Sequence, residues 1–340
     1  MVIGSGVGAS LGIRSESSWG TYNPPTLWLP LKNFMLNHKQ TTQVVSGVAA
    51  GRIAPPDEVV TQTWGEGSFD GDVLRNGWGT LLQHLCGGSA TPTQQAATAA
   101  YLQTHVIGGD NRGKGLTVQK GLPDTGGTAN PYTGYGMKIP TATFACAKGE
   151  NLSMSADLWG AGVDEVESLS APGYTATQSS LPFNWSQMAL KLGTFGAEAS
   201  VTDAVKGVSV TIARGMNTDD SFYAGNSGAP SEPVMSAGDI QSVMPVTGTV
   251  DIDLADKADF IDRYVGHTST SFVWEFVGPI IASTYAYTFR ISLAKVYFGG
   301  DIPGVSGPSV VGGSIPFTAF LDVTNGYGSI QYMSTDTALV

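Results

Sequence analysis

The sequence is short of charge. Lys, Arg, Asp and Glu make up 13% of its 340 residues, about half of the roughly 25% usual in a soluble domain. The charge present leans acidic, 28 carboxylates against 17 cations for a net of −11. That balance excludes a nucleic-acid binder working through a basic groove, because phosphate neutralisation needs clustered Lys and Arg. Two cysteines, Cys86 and Cys146, cannot build a disulfide framework and read as reduced thiols of a chain assembled in a reducing cytosol. No apolar run approaches the ~20 residues of a membrane-spanning helix. The stretch Met1 to Arg14 lacks the basic start of a secretory signal.

Catalytic signatures are missing as well. His38, His84, His105 and His267 have no H-x-x-x-H or C-x-x-C partner, so zinc has no ligand set. No G-x-S-x-G elbow occurs. Gly4-Ser-Gly6-Val-Gly8-Ala9 fits a loose dinucleotide pattern, but no strand precedes it and Ser15 to Pro25 breaks the helix that would have to come after it. The acidic run Asp251, Asp253, Asp256, Asp259, Asp262 lacks the glycine and terminal Glu of a calcium loop. Any two carboxylates can be folded into a glycosidase pair, and no spacing singles one out. The expectation is no catalytic residue, no cofactor and no metal site.

What the chain does have is glycine, 45 residues of it, and a 41% hydrophobic share, enough for a core. Few charges and many small residues suit a surface hidden against copies of itself. Residues 4–19 are Gly- and Ser-rich and read as an extended arm. Strand-like runs recur at Leu27–Leu36, Gly115–Val118, Gly136–Cys146, Asn151–Trp159, Phe183–Leu192, Val205–Ala213, Val246–Leu254, Thr270–Val277, Tyr285–Phe298 and Ser314–Val323. Two long polar loops, Asn37 to Val60 and Gly215 to Val243, exceed ordinary connections and are expected to order only on neighbouring subunits. Thr91 to His105 is either helical or a surface excursion. Asn76 and Asp256 are placed to cap short helices ending at Gly87 and Gly266.

The halves repeat. Phe69-Asp70-Gly71-Asp72-Val73 parallels Val250-Asp251-Ile252-Asp253-Leu254, each with a short helix after it. Tyr135 to Ala142 matches Tyr287 to Ala294 without a gap, and Leu29-Pro30-Leu31 has a counterpart in Leu181-Pro182-Phe183. These matches indicate an internal duplication of about 150 residues. It divides the chain into an arm (1–24), a first β domain (25–170), a linker (171–182) and a second β domain with a C-terminal arm (183–340). Alternation puts Asp70, Asp72, Asp251 and Asp253 on one strand face, opposite Phe69, Val73, Val250, Ile252 and Leu254. Charge is uneven, net −3 over residues 1–170 and −8 over 171–340.

Several segments carry a resemblance: Gly6 to Gly12 through Glu16-Ser-Ser-Trp-Gly-Thr-Tyr22, Leu116-Thr-Val-Gln119, Pro131 to Ile139 with Ala145 to Glu150, Arg214-Gly-Met-Asn217, Pro245 to Val250 and Ser314-Ile-Pro-Phe317. In this order they resemble the major tail (tail tube) proteins of long-tailed, siphovirus-type bacteriophages. The resemblance implies an all-β chain with short flanking helices, its tandem β-sandwich or barrel domains forming a ring barrel. It implies a structural, non-enzymatic virion protein, assembled in the host bacterial cytoplasm. Stacked rings would make a hollow tube through which DNA passes unbound into the host cell. The implied partners are copies of itself, in homotrimeric pseudo-sixfold or homohexameric rings, and the tape measure, terminator and distal tail proteins. Asp70, Asp72, Asp251 and Asp253 would then face the lumen, an acidic wall that phosphates do not stick to, or form an ordinary solvated face. Two alternatives stay open: another virion part such as a tail terminator or capsid decoration, and an extracellular carbohydrate-binding or hydrolytic β-protein.

Overall fold

The alternating runs pair into antiparallel sheets. The computed structural model describes residues 6–46, 54–55, 57–88, 90–109, 111–124, 128–174, 180–233, 244–302 and 311–339. The first half contains β1 (Ser10–Ser15), β2 (Leu27–Trp28), β3 (Asn33–Val44), β4 (Glu58–Asp72), β5 (Thr93–Gln94), β6 (Tyr101–Val106), β7 (Leu116–Pro123), β8 (Ala129–Met137), β9 (Thr141–Ala147), β10 (Ser153–Gly160) and β11 (Gly162–Asp164). Helix α1 (Gly79–Cys86) comes after β4. The second half contains β12 (Met188–Thr194), β13 (Ala197–Ser200), β14 (Ala204–Ala213), β15 (Val246–Asp253), β16 (Thr270–Ala282), β17 (Tyr285–Phe298), β18 (Gly312–Phe320) and β19 (Gly328–Ser334), with helix α2 (Ile261–Val265) after β15.

A five-stranded sheet runs β11-β8-β7-β1-β2, and a 14-stranded one takes the path β13-β12-β16-β17-β18-β15-β14-β9-β10-β4-β3 with β19, β6 and β5 branching from β17. The branch makes a sandwich. The N-terminal part of β17 pairs with β19 (Thr288 opposite Met333), while its last residues, Lys295–Phe298, pair with β18. Side chains meet between the two layers: the rings of Phe144 and Phe289 lie 5.3 Å apart and those of Phe272 and Phe317 4.6 Å. Among the described residues the path does not close into a barrel; β13 and β3 are its free ends.

One layer is eight strands wide, and it repeats. From the free edge inward it reads β3-β4-β10-β9, then β14-β15-β18-β17. Each set of four has the same plan: two neighbouring strands, a short helix, then a hairpin whose second strand lies inside its first. Of the matched sequences, Asp70 and Asp72 lie on β4 and Asp251 and Asp253 on β15, whereas the second match is divided: Tyr135 to Met137 lie on β8 of the five-stranded sheet and Ala142 on β9, while Tyr287 to Ala294 lie within β17. The sets join where β9 pairs along β14, from Gly207 opposite Ala147 to Ala213 opposite Thr141. Strands from both sides of residues 171–182 thus share one sheet; residues 175–179 lie outside the described ones.

Several expectations need correcting. The loop Asn37 to Val60 is largely a hairpin, with β3 and β4 paired from Asn33–Asp70 out to Val44–Glu58. The expected arm crosses its own subunit: β1 pairs with β7 and β2, and Leu11 and Ile13 are buried, because apolar residues there fill the chain's own core. Residues 1–5 lie outside the description. The described part of the Gly215 to Val243 loop also folds back on the chain, Thr63 N–H donating to Gly228 O at 2.9 Å and the ring of Phe222 standing edge-on to Trp64; residues 234–243 lie outside it. Thr91 to His105 holds strands, not a helix. Trp78 takes the N-cap place of α1, and the Asn76 side chain instead accepts from Thr335. Gly87 does end α1: its φ is +80°, and a Cβ there would collide with Gly109 O. Asp256 accepts from Ala258 N–H, and α2 itself begins only at Ile261.

Candidate functional site

The outer face of the eight-strand layer is built by alternation. On β10 the apolar Met154, Ala156 and Leu158 point inward and are buried, leaving Ser153, Ser155 and Asp157 outside. Residues directly opposite in a ladder share a face, so the registers map this surface. One row runs Asn33, Asp70, Ser155, Thr143, Thr211, Thr247, Thr318. The next runs Asp72, Ser153, Ala145, Ser209, Thr249, Pro316. A third holds Ala147, Gly207, Asp251, Ser314. The two halves meet by a hydrogen bond at the seam, Thr143 Oγ1 to Thr211 Oγ1 at 2.9 Å.

All four aspartates singled out from the sequence therefore lie on this face. The pairs on β4 and β15 are four strands apart, about 19 Å at the usual spacing. Alternation along Ser153 to Trp159 carries the same signal for Asp157, which the sequence reading passed over. Asp72 holds Lys32 at 2.7 Å and accepts from Asn151 at 3.1 Å; Asp253 holds Lys206 at 2.5 Å. Asp70, Asp157 and Asp251 have no ion pair among the described residues. The hydrogen bond to Asp72 raises the Lys32 ammonium above its ordinary value, outweighing burial, and the fields of Asp72, Asp70 and Glu150 add to it. The face is a carpet of small hydroxyl and methyl groups under a negative potential. A hollow of about 160 Å³ lies on it among Asn33, Asp70, Thr143, Ser155 and Asp157, and among the described residues no group of three or more His, Cys, Asp or Glu is placed to hold a metal.

A second, buried polar cluster braces this layer against the five-stranded sheet and α1. The Glu16 carboxylate accepts from Gly20 N–H and Gly136 N–H, both at 2.7 Å, and from Thr117 Oγ1 at 3.2 Å. Burial raises its pKa despite those bonds. Trp19 Nε1 donates to Gly136 O at 2.8 Å. Lys138, 1% exposed, pairs with Glu232 at 2.6 Å. Arg214 donates to Leu85 O at 2.7 Å and Gly109 O at 2.9 Å, tying the end of α1 to the second half. His84 shares a 2.9 Å hydrogen bond with Ser15 Oγ, and its pKa falls to about 3 through burial and the cations Lys114, Lys138 and Arg214. Glu16, Trp19, Gly136, Lys138 and Arg214 all come from the segments that carry the family resemblance. They meet at a brace, and nothing in their spacing along the chain announced it.

With both sites drawn, comparison with known proteins adds one finding. A family model described as phage tail tube protein matches residues 6–319, most of the chain. No curated protein matches it.

Proposed function

The chain belongs to the phage tail tube protein family, and from that premise we propose that it closes into three-chain rings whose stacked lumens conduct the genome. One observation carries the reading: the strand order β3-β4-β10-β9 recurs as β14-β15-β18-β17, side by side in one sheet, with equivalent aspartates on the same face. Each chain thus supplies two equivalent wall units, the tandem tail-tube domains expected from the duplication. Three chains joined head to tail supply six. Twenty-four strands at about 4.8 Å spacing, tilted about 40°, enclose a ring about 48 Å across between backbones, wide enough for a DNA duplex.

The carboxylate-bearing face is the lumen wall. Phosphates approaching it meet unpaired Asp70, Asp157 and Asp251 and find no exposed cation cluster to release counterions. Ring closure also covers the free edge of β3, which a lone subunit leaves exposed. Negative-stain microscopy of the purified chain tests the assembly: long hollow filaments support it, whereas single unstacked rings point to a terminator-like cap. Native mass spectrometry of rings decides three chains against six, and six rejects the two-unit wall.

A further inference from the structure

The β3–β4 hairpin runs beyond the layer it starts from. Its far end carries four valines in the open: Val44, Val45, Val59 and Val60 are 49%, 40%, 54% and 48% exposed. Val44 faces Glu58 and Val59 faces Gln43 across the hairpin, so each surface of the ribbon carries a valine beside a polar residue there. An exposed strand edge bearing valines is a liability unless something covers it. Beside the valines stand Asp57 and Glu58, exposed and without an ion pair among the described residues.

At the other end of the same layer is a groove among the described residues. It opens where β17 changes partner from β18 to β19, has a volume of about 790 Å³, and is lined by Ile107, Met244, Phe320, Leu321, Tyr327 and the cation Lys295. Phe320 and Leu321 are 47% and 65% exposed. Lys295 Nζ sits 5.6 Å from the centroid of the Tyr297 ring and makes no ion pair among the described residues. The registers place the groove and the valine-bearing end of the hairpin strands toward the same rim. Moving from Asp70 toward Glu58 on β4 corresponds to moving from Thr318 toward Phe320 on β18 and from Tyr297 toward Lys295 on β17.

We propose that the groove at the β17–β18–β19 fork is the socket for the β3–β4 hairpin of a neighbouring copy of this chain. The valines enter the apolar floor, and Asp57 or Glu58 meets Lys295. Two features select a second copy as the occupant. The charges are complementary, and a head-to-tail ring brings the β3 end of one copy against the β17–β18 end of the next. The inference rests on the ring reading above, and deepens it by naming the contact that locks one chain to its neighbour.

The wild-type chain is first assembled and imaged, which tests the ring by itself. A Val60→Cys, Leu321→Cys double variant is then assembled, oxidised and run on a non-reducing gel. Covalent multimers are expected from the double variant and not from either single one; Cys86 and Cys146 are buried and do not interfere. In parallel, Val59→Asp with Val60→Asp, both at exposed positions of β4, should leave the subunit's denaturation midpoint unchanged. It should raise the critical concentration for assembly at least tenfold. Tubes that form normally from both variants with no cross-link overturn the socket while leaving the tube reading intact. A wild-type chain that remains monomeric and uncross-linked overturns both.

Discussion

Reversing the three unpaired carboxylates of the carpet is the sharpest test of the lumen. Asp157 and Asp251 are exposed and Asp70 is half-buried, and none is in an ion pair among the described residues, so Asp70→Lys, Asp157→Lys and Asp251→Lys should each cost about 0.5 kcal/mol or less in subunit stability. Asp72 and Asp253 are left alone, because removing them would free Lys32 and Lys206 and blur the result. Rings and tubes should still form. DNA should now be held: with one phosphate engaged per chain in a three-chain ring, retention should weaken about 40-fold between 50 and 200 mM salt, from a slope of about −0.9 per phosphate. The wild type and the matching Asp→Asn variant should show little retention at either salt concentration. The assay is duplex retention by preformed tubes, with genome ejection from particles carrying the variant as the second readout. Equal retention and ejection for wild-type and lysine tubes, with assembly intact, would refute an inward-facing carpet.

The brace, together with the buried His105 of β6, gives two further expectations. Lys138→Met removes the cation paired with Glu232, whose carboxylate keeps the Gly113 N–H donated at 2.6 Å, and should destabilise the subunit by about 3 kcal/mol, with Glu232→Gln added to it recovering part of the loss; denaturant midpoints of the single and double variants check this, and a neutral single variant would show that the pair is idle. His84 and His105 are held neutral by burial, with pKa values lowered from 6.5 to about 3 and about 4. A depressed folded pKa means stability is full above pH 6.5 and is lost as pH falls toward those values, since only the unfolded chain takes up the protons. Each histidine should cost about 1.4 kcal/mol per pH unit below 6.5, so subunit stability measured at pH 7.5 and 5.0 should drop, and a flat profile would mean these rings are reached by water.

Much of the wall was legible beforehand because period-two alternation is a local property. Val246 to Leu254 reads as a half-buried strand with acids outside, and β15 runs from Val246 to Asp253 with Val250 and Ile252 buried. The same logic found β14 and β17 nearly to the residue. It missed β19, whose Gly328-Ser-Ile-Gln-Tyr-Met-Ser334 alternates just as well. It also read the outer part of the β3–β4 hairpin, Asn37 to Val60, as a loop, because Asn37 to Gln43 shows no apolar face: that stretch is held by its ladder with β4, by a 3.1 Å hydrogen bond between His38 Nδ1 and Val163 O and by the Lys39–Glu66 ion pair.

Local pattern, then, set the strands, the two short helices, the glycine stop at Gly87 and the side of each strand on which the aspartates stand. Those are fixed by covalent geometry and by which side chains avoid water. Which strands become neighbours was decided only by the tertiary structure. Asp70 and Asp251 share one face because β9 pairs with β14, a contact made by backbone groups that carry no residue identity. Lys138 is buried because Glu232, 94 residues away, folds over to meet it. Burial of a charge depends on a partner brought from elsewhere in the chain, and spacing along a sequence does not record that meeting.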